Sequence, residues 1–109
     1  MNNGSFYFDP EAPGVAVFLG PAEAALMELA WRHRSLTVKK ALLYLAGEQS
    51  PAYTTVMTVL SRLAEKGLLH RTKQGRTYEY RPAMNREEFV TERVQRVLTC
   101  LRKNFPQQL

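Results

Sequence analysis

Residues 52–81, AYTTVMTVLSRLAEKGLLHRTKQGRTYEYR, constrain the fold of this 109-residue chain more than any other stretch. A helix turns about 100° per residue, so Val56, Val59, Leu60 and Leu63 gather in one arc while Thr54, Thr55, Thr58, Ser61, Arg62 and Glu65 occupy the opposite arc. One face is built to join a core and the other is not. Lys66 then places a cation in the last turn, and Gly67 can take the left-handed conformation that ends a helix, which predicts a helix over 52–66.

The polar face carries unusual chemistry for a solvated helix. Thr and Ser lose side-chain freedom in a helix or compete with its backbone for hydrogen bonds, so three Thr in the first two turns need a reason. N-capping by Ser50 or Thr54 would account for one hydroxyl. Close approach to a DNA major groove would account for all of them, because short hydroxyl side chains reach phosphates and base edges and offer methyls to thymine. Met57 lies at the edge between the arcs, where it either meets a thymine methyl or packs. Tyr53 turns toward the apolar arc, which leaves a core position and a phosphate contact both open.

After the helix, 68–73 and 76–81 read as two strands joined through Gln74-Gly75, with glycine supplying the positive φ of a tight hairpin. His70, Arg71, Lys73, Arg76 and Arg81 face only Glu79 in acid, while Tyr78 and Tyr80 repeat at period two. Lys and Arg can protect a hairpin edge from aggregation. Beside a hydroxyl-faced helix, however, so basic a hairpin reads as a phosphate clamp. The charge is concentrated here too: residues 37–82 hold eight basic against three acidic side chains, whereas 1–36 hold two against four.

Two helices precede this pair. Gly20-Pro21 opens the first, which runs with Leu26, Leu29, Ala30 and Trp31 to about His33. A loop over 34–36 follows, and Thr37 is the expected N-cap of a second helix in which Val38, Ala41, Leu42 and Leu45 recur at helical spacing until Gly47. Residues 48–51 form the turn. The order helix, helix, turn, helix, hairpin is that of a winged helix-turn-helix. The fold class is therefore mainly α with a small β-hairpin (α+β), with a further helix at the C-terminal end.

The runs LGPAEAALMELAW (19–31), LTVKKAL (36–42), AYTTVMTVLSRLAEKGLLHR (52–71) and GRTYEYRP (75–82) occur in order and at the expected separations. In them the chain resembles the penicillinase-repressor family of bacterial transcriptional regulators. The resemblance implies a homodimeric repressor on a two-fold symmetric operator in double-stranded DNA, released when an inducing signal acts through a sensor or protease. It also implies that the helix over 52–66 reads bases. Joined to the face geometry, it gives Thr54, Thr55, Met57 and Thr58 as base-reading residues. Tyr53, Ser61, Arg62, Arg71, Lys73 and Arg76 are the phosphate-binding set. The copper-responsive branch of the family uses a C-terminal cysteine cluster, and Cys100 is the single cysteine here.

Residues 1–18 form an arm, either laid along the domain or adding a strand at its edge, and the winged-helix domain occupies 19–83. In 84–109, Asn85 followed by Glu88 has the pattern of a capping box. Phe89, Val90, Val94, Val97, Leu98 and Leu101 form an apolar stripe that Pro106 brings to an end. So small a domain has little surface to cover that stripe. Dimerisation through it would set two reading helices about 34 Å apart, one turn of DNA.

Other classes fare worse. A winged helix can serve as a protein-protein interaction module without sequence-specific DNA binding, but the basic wing favours nucleic acid. His33 and His70 are isolated, no phosphate loop is present, and nothing calls for catalysis, a metal or a cofactor. Cys100 reads as a buried small apolar residue. No apolar run reaches the ~20 residues of a membrane helix, and no secretion signal is visible. The expected place of work is the cytoplasm, at the nucleoid.

Overall fold

The computed structural model describes residues 6–47 and 50–109. Glu48 and Gln49 of the expected turn, and residues 1–5 of the arm, lie outside the described residues. A short 3-10 turn at Gly14–Val17 leads into α1 (Pro21–His33), α2 (Val38–Tyr44) and α3 (Tyr53–Glu65). Antiparallel strands β1 (Leu69–Gln74) and β2 (Thr77–Pro82) follow, and then α4 (Arg86–Asn104). The architecture is a winged helix with a projecting C-terminal helix.

The core gathers where α1, α3 and the hairpin meet. Val56, Val59, Leu60 and Leu63 of α3 are all buried, together with Met27, Ala30, Leu36, Ala41, Leu69 and Tyr80. Burying four aliphatic side chains is worth about 1.5–3 kcal/mol each, against a helix-propensity cost of at most ~0.7 kcal/mol for each Thr. Tertiary burial therefore holds α3 helical despite its hydroxyl face. Glu23 in the first turn of α1, 8% exposed, pairs with Lys66 at the end of α3 at 2.8 Å and ties the start of one helix to the end of the other.

Several boundaries differ from the sequence expectation. Thr37 caps α2 by accepting from the Lys40 amide at 3.1 Å, but the helix ends at Tyr44 and does not reach Gly47. The strands are joined through Gly75-Arg76, one residue later than expected, because Gln74 pairs with Thr77. Gly75 has a φ of 64° while Arg76 has a negative φ, the pattern of a II′ hairpin turn. The segment over 34–36 is more than a loop. Arg34 takes the left-handed conformation (φ 71°), which reverses the chain so that Leu36 and Tyr80 exchange hydrogen bonds of 2.8 and 2.7 Å. That bridge lays a third short strand position against the wing and draws Tyr80 into the core.

At the other end, Asn85 and Glu88 form the reciprocal capping box, with bonds of 2.8 and 3.0 Å. Trp31 Nε1 donates to the Met84 carbonyl at 3.0 Å, and Arg86 pairs with Glu28 through both its Nε and Nη2. Hydrogen bonding and charge from Glu28 hold the Arg86 guanidinium above its usual range. Phe89 then enters the core, 5.5 Å from the Trp31 ring and 6.5 Å from Phe18.

Beyond Phe89 the helix leaves the domain. The molecule is 53 Å long with a radius of gyration of 15.5 Å, against about 13 Å for a compact chain of this length. Cys100 is accordingly exposed, not buried, since α4 has no core beside it at that point. The N-terminal segment forms no strand among the described residues. It lies along the domain as an arm, with Val15 and Leu19 buried in the same core.

Candidate nucleic-acid interface

The outer face of α3 is open. Tyr53 (53% exposed), Thr54, Thr55, Met57, Thr58 and Arg62 are all exposed, and Ser61 is half-buried. Tyr53 is thus outside the core. The N-cap of α3 is Ala52, with no side-chain cap, so neither Ser50 nor Thr54 serves that purpose. Among the described residues the hydroxyls of Thr54, Thr55 and Thr58 have no hydrogen-bond partner. Local structure therefore does not account for them.

The register of the hairpin decides which wing residues join this face. Arg71 lies opposite Tyr80 and Lys73 opposite Tyr78, so these four share one side. Tyr80 is buried at 1% and anchors that side against the domain. The Arg71 guanidinium sits 4.6 Å above the Tyr78 ring, which steadies a long side chain that would otherwise wander. Met57, Thr58, Ser61, Arg62 and Glu65 of α3 and Arg71, Tyr78 and Tyr80 of the wing line one groove of about 430 Å³. Lys73 and Arg76 are exposed toward the wing tip, beyond the groove. Tyr53, Thr54 and Thr55 lie outside its other end, in the first turn of α3. On the far side of the hairpin, Arg81 is paired with Glu79 at 3.0 Å.

This geometry has relatives. The family model described as penicillinase repressor matches residues 19–109. The chain belongs to the penicillinase repressor family. It is 41% identical over 73 residues to the transcriptional regulator BlaI of Mycobacterium tuberculosis, covering 66% of this chain and 53% of that one. It thus spans about half the length of that relative. Among solved structures it is similar to the DNA-binding domain of the repressor BlaI (28% identity, TM-score 0.56, 64% of this chain and 85% of that one). It is also similar to the monomeric form of Bacillus licheniformis BlaI, solved in complex with the blaP half-operator. There the identity is again 28%, the TM-score is 0.53, and the same shares of the two chains are covered.

The C-terminal stripe of this family member divides in two. With Phe89 at 0° on the α4 wheel, Val90, Val94, Val97, Leu98 and Leu101 spread over about 80–180°. Phe89 points well away from them and is fully buried in its own domain, so it does not belong to a dimer face. Val90 is half-buried against the core. Val94 is 39% exposed, and Val97, Leu98 and Leu101 are half-buried on the projecting part of the helix.

Sequence reasoning passed over the Arg71–Tyr78 stack, whose signal was the period-two tyrosines read together with the cross-strand register. Among the described residues no helix is long and apolar enough to cross a membrane, and no three His, Cys, Asp or Glu side chains are placed to hold a metal.

Proposed function

We propose that this chain is an operator-binding transcriptional repressor that acts as a homodimer. α3 lies in the major groove with Thr54, Thr55, Met57 and Thr58 on base edges. Tyr53, Ser61, Arg62, Arg71, Lys73 and Arg76 hold the flanking phosphates. Val94, Val97, Leu98 and Leu101 of α4 meet their counterparts in a second copy, which gives a two-fold axis and two half-sites. Repression is relieved through a sensor or protease, and the protein works in the cytoplasm at the nucleoid.

The observation that carries this reading is the run of unpartnered hydroxyls on an exposed helix face, set beside a wing whose Arg71 and Lys73 share the side that borders it. The family supports it, since a relative's structure was solved on a half-operator.

The test compares two substitutions on cognate operator and random duplex. Thr55→Ala removes one hydroxyl and should weaken operator binding by about 1 kcal/mol per protomer while sparing random duplex. Arg76→Ala should weaken both duplexes alike and lower the slope of log affinity against log salt by about 0.9 per protomer. Equal losses on both duplexes for Thr55→Ala would overturn the base-reading assignment. Salt-insensitive behaviour with no duplex affinity in the wild type would indicate a protein partner instead.

A further inference from the structure

The family match begins at residue 19, yet part of the segment before it is built into the molecule at a telling place. The Asp9 amide donates to the Val17 carbonyl at 2.8 Å, which closes the arm back on the turn at Gly14–Val17. The Phe18 ring at the end of that turn lies 6.3 Å from Phe6, 6.0 Å from Phe8 and 6.5 Å from Phe89. From the other side, α4 sends Arg93 over both Phe89 (4.8 Å) and Phe6 (5.8 Å), and Arg96 over Phe6 at 5.2 Å. Both arginines are also held by Glu92 on their own helix, Arg96 at 2.7 Å. A continuous chain of tilted and edge-on ring contacts thus runs from Trp31 through Phe89 and Phe18 to Phe6, capped by α4 guanidinium groups.

This chain of contacts carries support along α4 past the point where the helix leaves the core. Arg96 lies seven residues beyond Phe89, a rise of about 10 Å. It does so without covering the apolar stripe, because the mean direction of Arg93 and Arg96 is about 120° away from Val94, Val97, Leu98 and Leu101 on the wheel.

We infer that the arm is a brace: Phe6, seated on Arg93 and Arg96, is a positioning residue that fixes the angle of α4 to the winged domain and so the half-site spacing a dimer accepts. The second part rests on the repressor reading above; the first does not. The lever is long enough to matter. Leu101 is about 18 Å beyond Phe89, so a 10° tilt moves it about 3 Å, close to the 3.4 Å rise of one base pair.

The molecule carries its own probe position for the test. Cys100 is the single cysteine and is exposed on α4. A second label enters at exposed Lys39 of α2 as Lys39→Cys, and labelled protein is diluted into unlabelled protein so that pulsed electron paramagnetic resonance reads distances within one chain. The unaltered arm should give one narrow distribution. Phe6→Ser with Phe8→Ser, at positions 38% and 49% exposed, should broaden it about twofold. Arg96→Gln should do the same from the other side of the contact, and Phe6→Tyr, which keeps the ring, should leave it narrow. An unchanged width in the Phe6/Phe8 variant overturns the brace.

The same variants are then titrated on operators with one base pair inserted between half-sites, and on a single half-site. The penalty for the insertion should fall from about tenfold to about twofold, with half-site affinity unchanged. A broadened distribution with an intact spacing penalty overturns the positioning role. Absence of any duplex binding by the wild type overturns the repressor reading while the distances still judge the brace.

Discussion

Phe89→Leu separates the two roles that the C-terminal stripe can play. The Phe89 ring makes two aromatic contacts, with Trp31 at 5.5 Å and Phe18 at 6.5 Å, each worth about 0.5–1.5 kcal/mol beyond area burial. Leucine keeps most of the apolar volume in a fully buried site, so imperfect refilling adds about 1 kcal/mol. The expected loss is about 2–4 kcal/mol, from a total of about 5–15 for a domain of this kind. With a urea dependence of about 2 kcal/mol per molar, the middle of the usual range, the unfolding midpoint should fall by about 1–2 M. The assay is urea denaturation followed by Trp31 fluorescence, at several protein concentrations so that any dimer contribution is visible. Sedimentation on the same samples reports the oligomeric state. An unchanged midpoint with a weakened dimer would place Phe89 in a seam between copies and refute its assignment to the core.

Val94→Asp should do the opposite, since a half-exposed position tolerates a carboxylate within the monomer while an apolar seam does not: monomeric mass in light scattering and weaker full-operator binding, with an unfolding free energy within about 0.5 kcal/mol of wild type extrapolated to the monomer. Glu92 gives a pH-dependent signal. Burial pushes its carboxyl up, but hydrogen bonds from Arg96 and Arg93 together outweigh that and hold it below the usual 4.5. Its contribution is therefore present above the ordinary carboxylate value and lost as pH falls through the depressed one. Thermal melts of wild type and Glu92→Gln should differ at pH 7 and converge as pH falls through the depressed value; a gap of the same size at every pH would show that the carboxylate charge is not its source.

The parts of this fold that repeat were legible in the sequence. The 100° period separated Val56, Val59, Leu60 and Leu63 from the hydroxyl face, and all four are buried. The capping box at Asn85 was likewise a local signal with a local outcome. What could not be read depends on contacts between distant segments. The Leu36–Tyr80 bridge spans a single residue on each side, too short for any periodicity, and the left-handed turn at Arg34 that permits it lacks a glycine to announce it. Cys100 followed the burial habit of its residue type, but α4 carries it off the domain.

Phe89 is a different matter. Apolar spacing alone groups it with the stripe, while the helical angle that sorts α3 sets it apart on α4. In the interface, the exposed face of α3 was visible from composition and period. The Arg71–Tyr78 stack needed the strand register, which hydropathy does not fix in a hairpin exposed on both faces for most of its length.

The claim that α3 and the wing of two copies read duplex DNA is tested most directly by selecting bound duplexes from a random pool, with the survivors titrated over a range of salt. A two-fold symmetric sequence should emerge, with half-site centres about one helical turn or a multiple of it apart, and log affinity for it should fall linearly with log salt. A pool that remains random after repeated rounds, or survivors lacking symmetry and bound independently of salt, would contradict the claim.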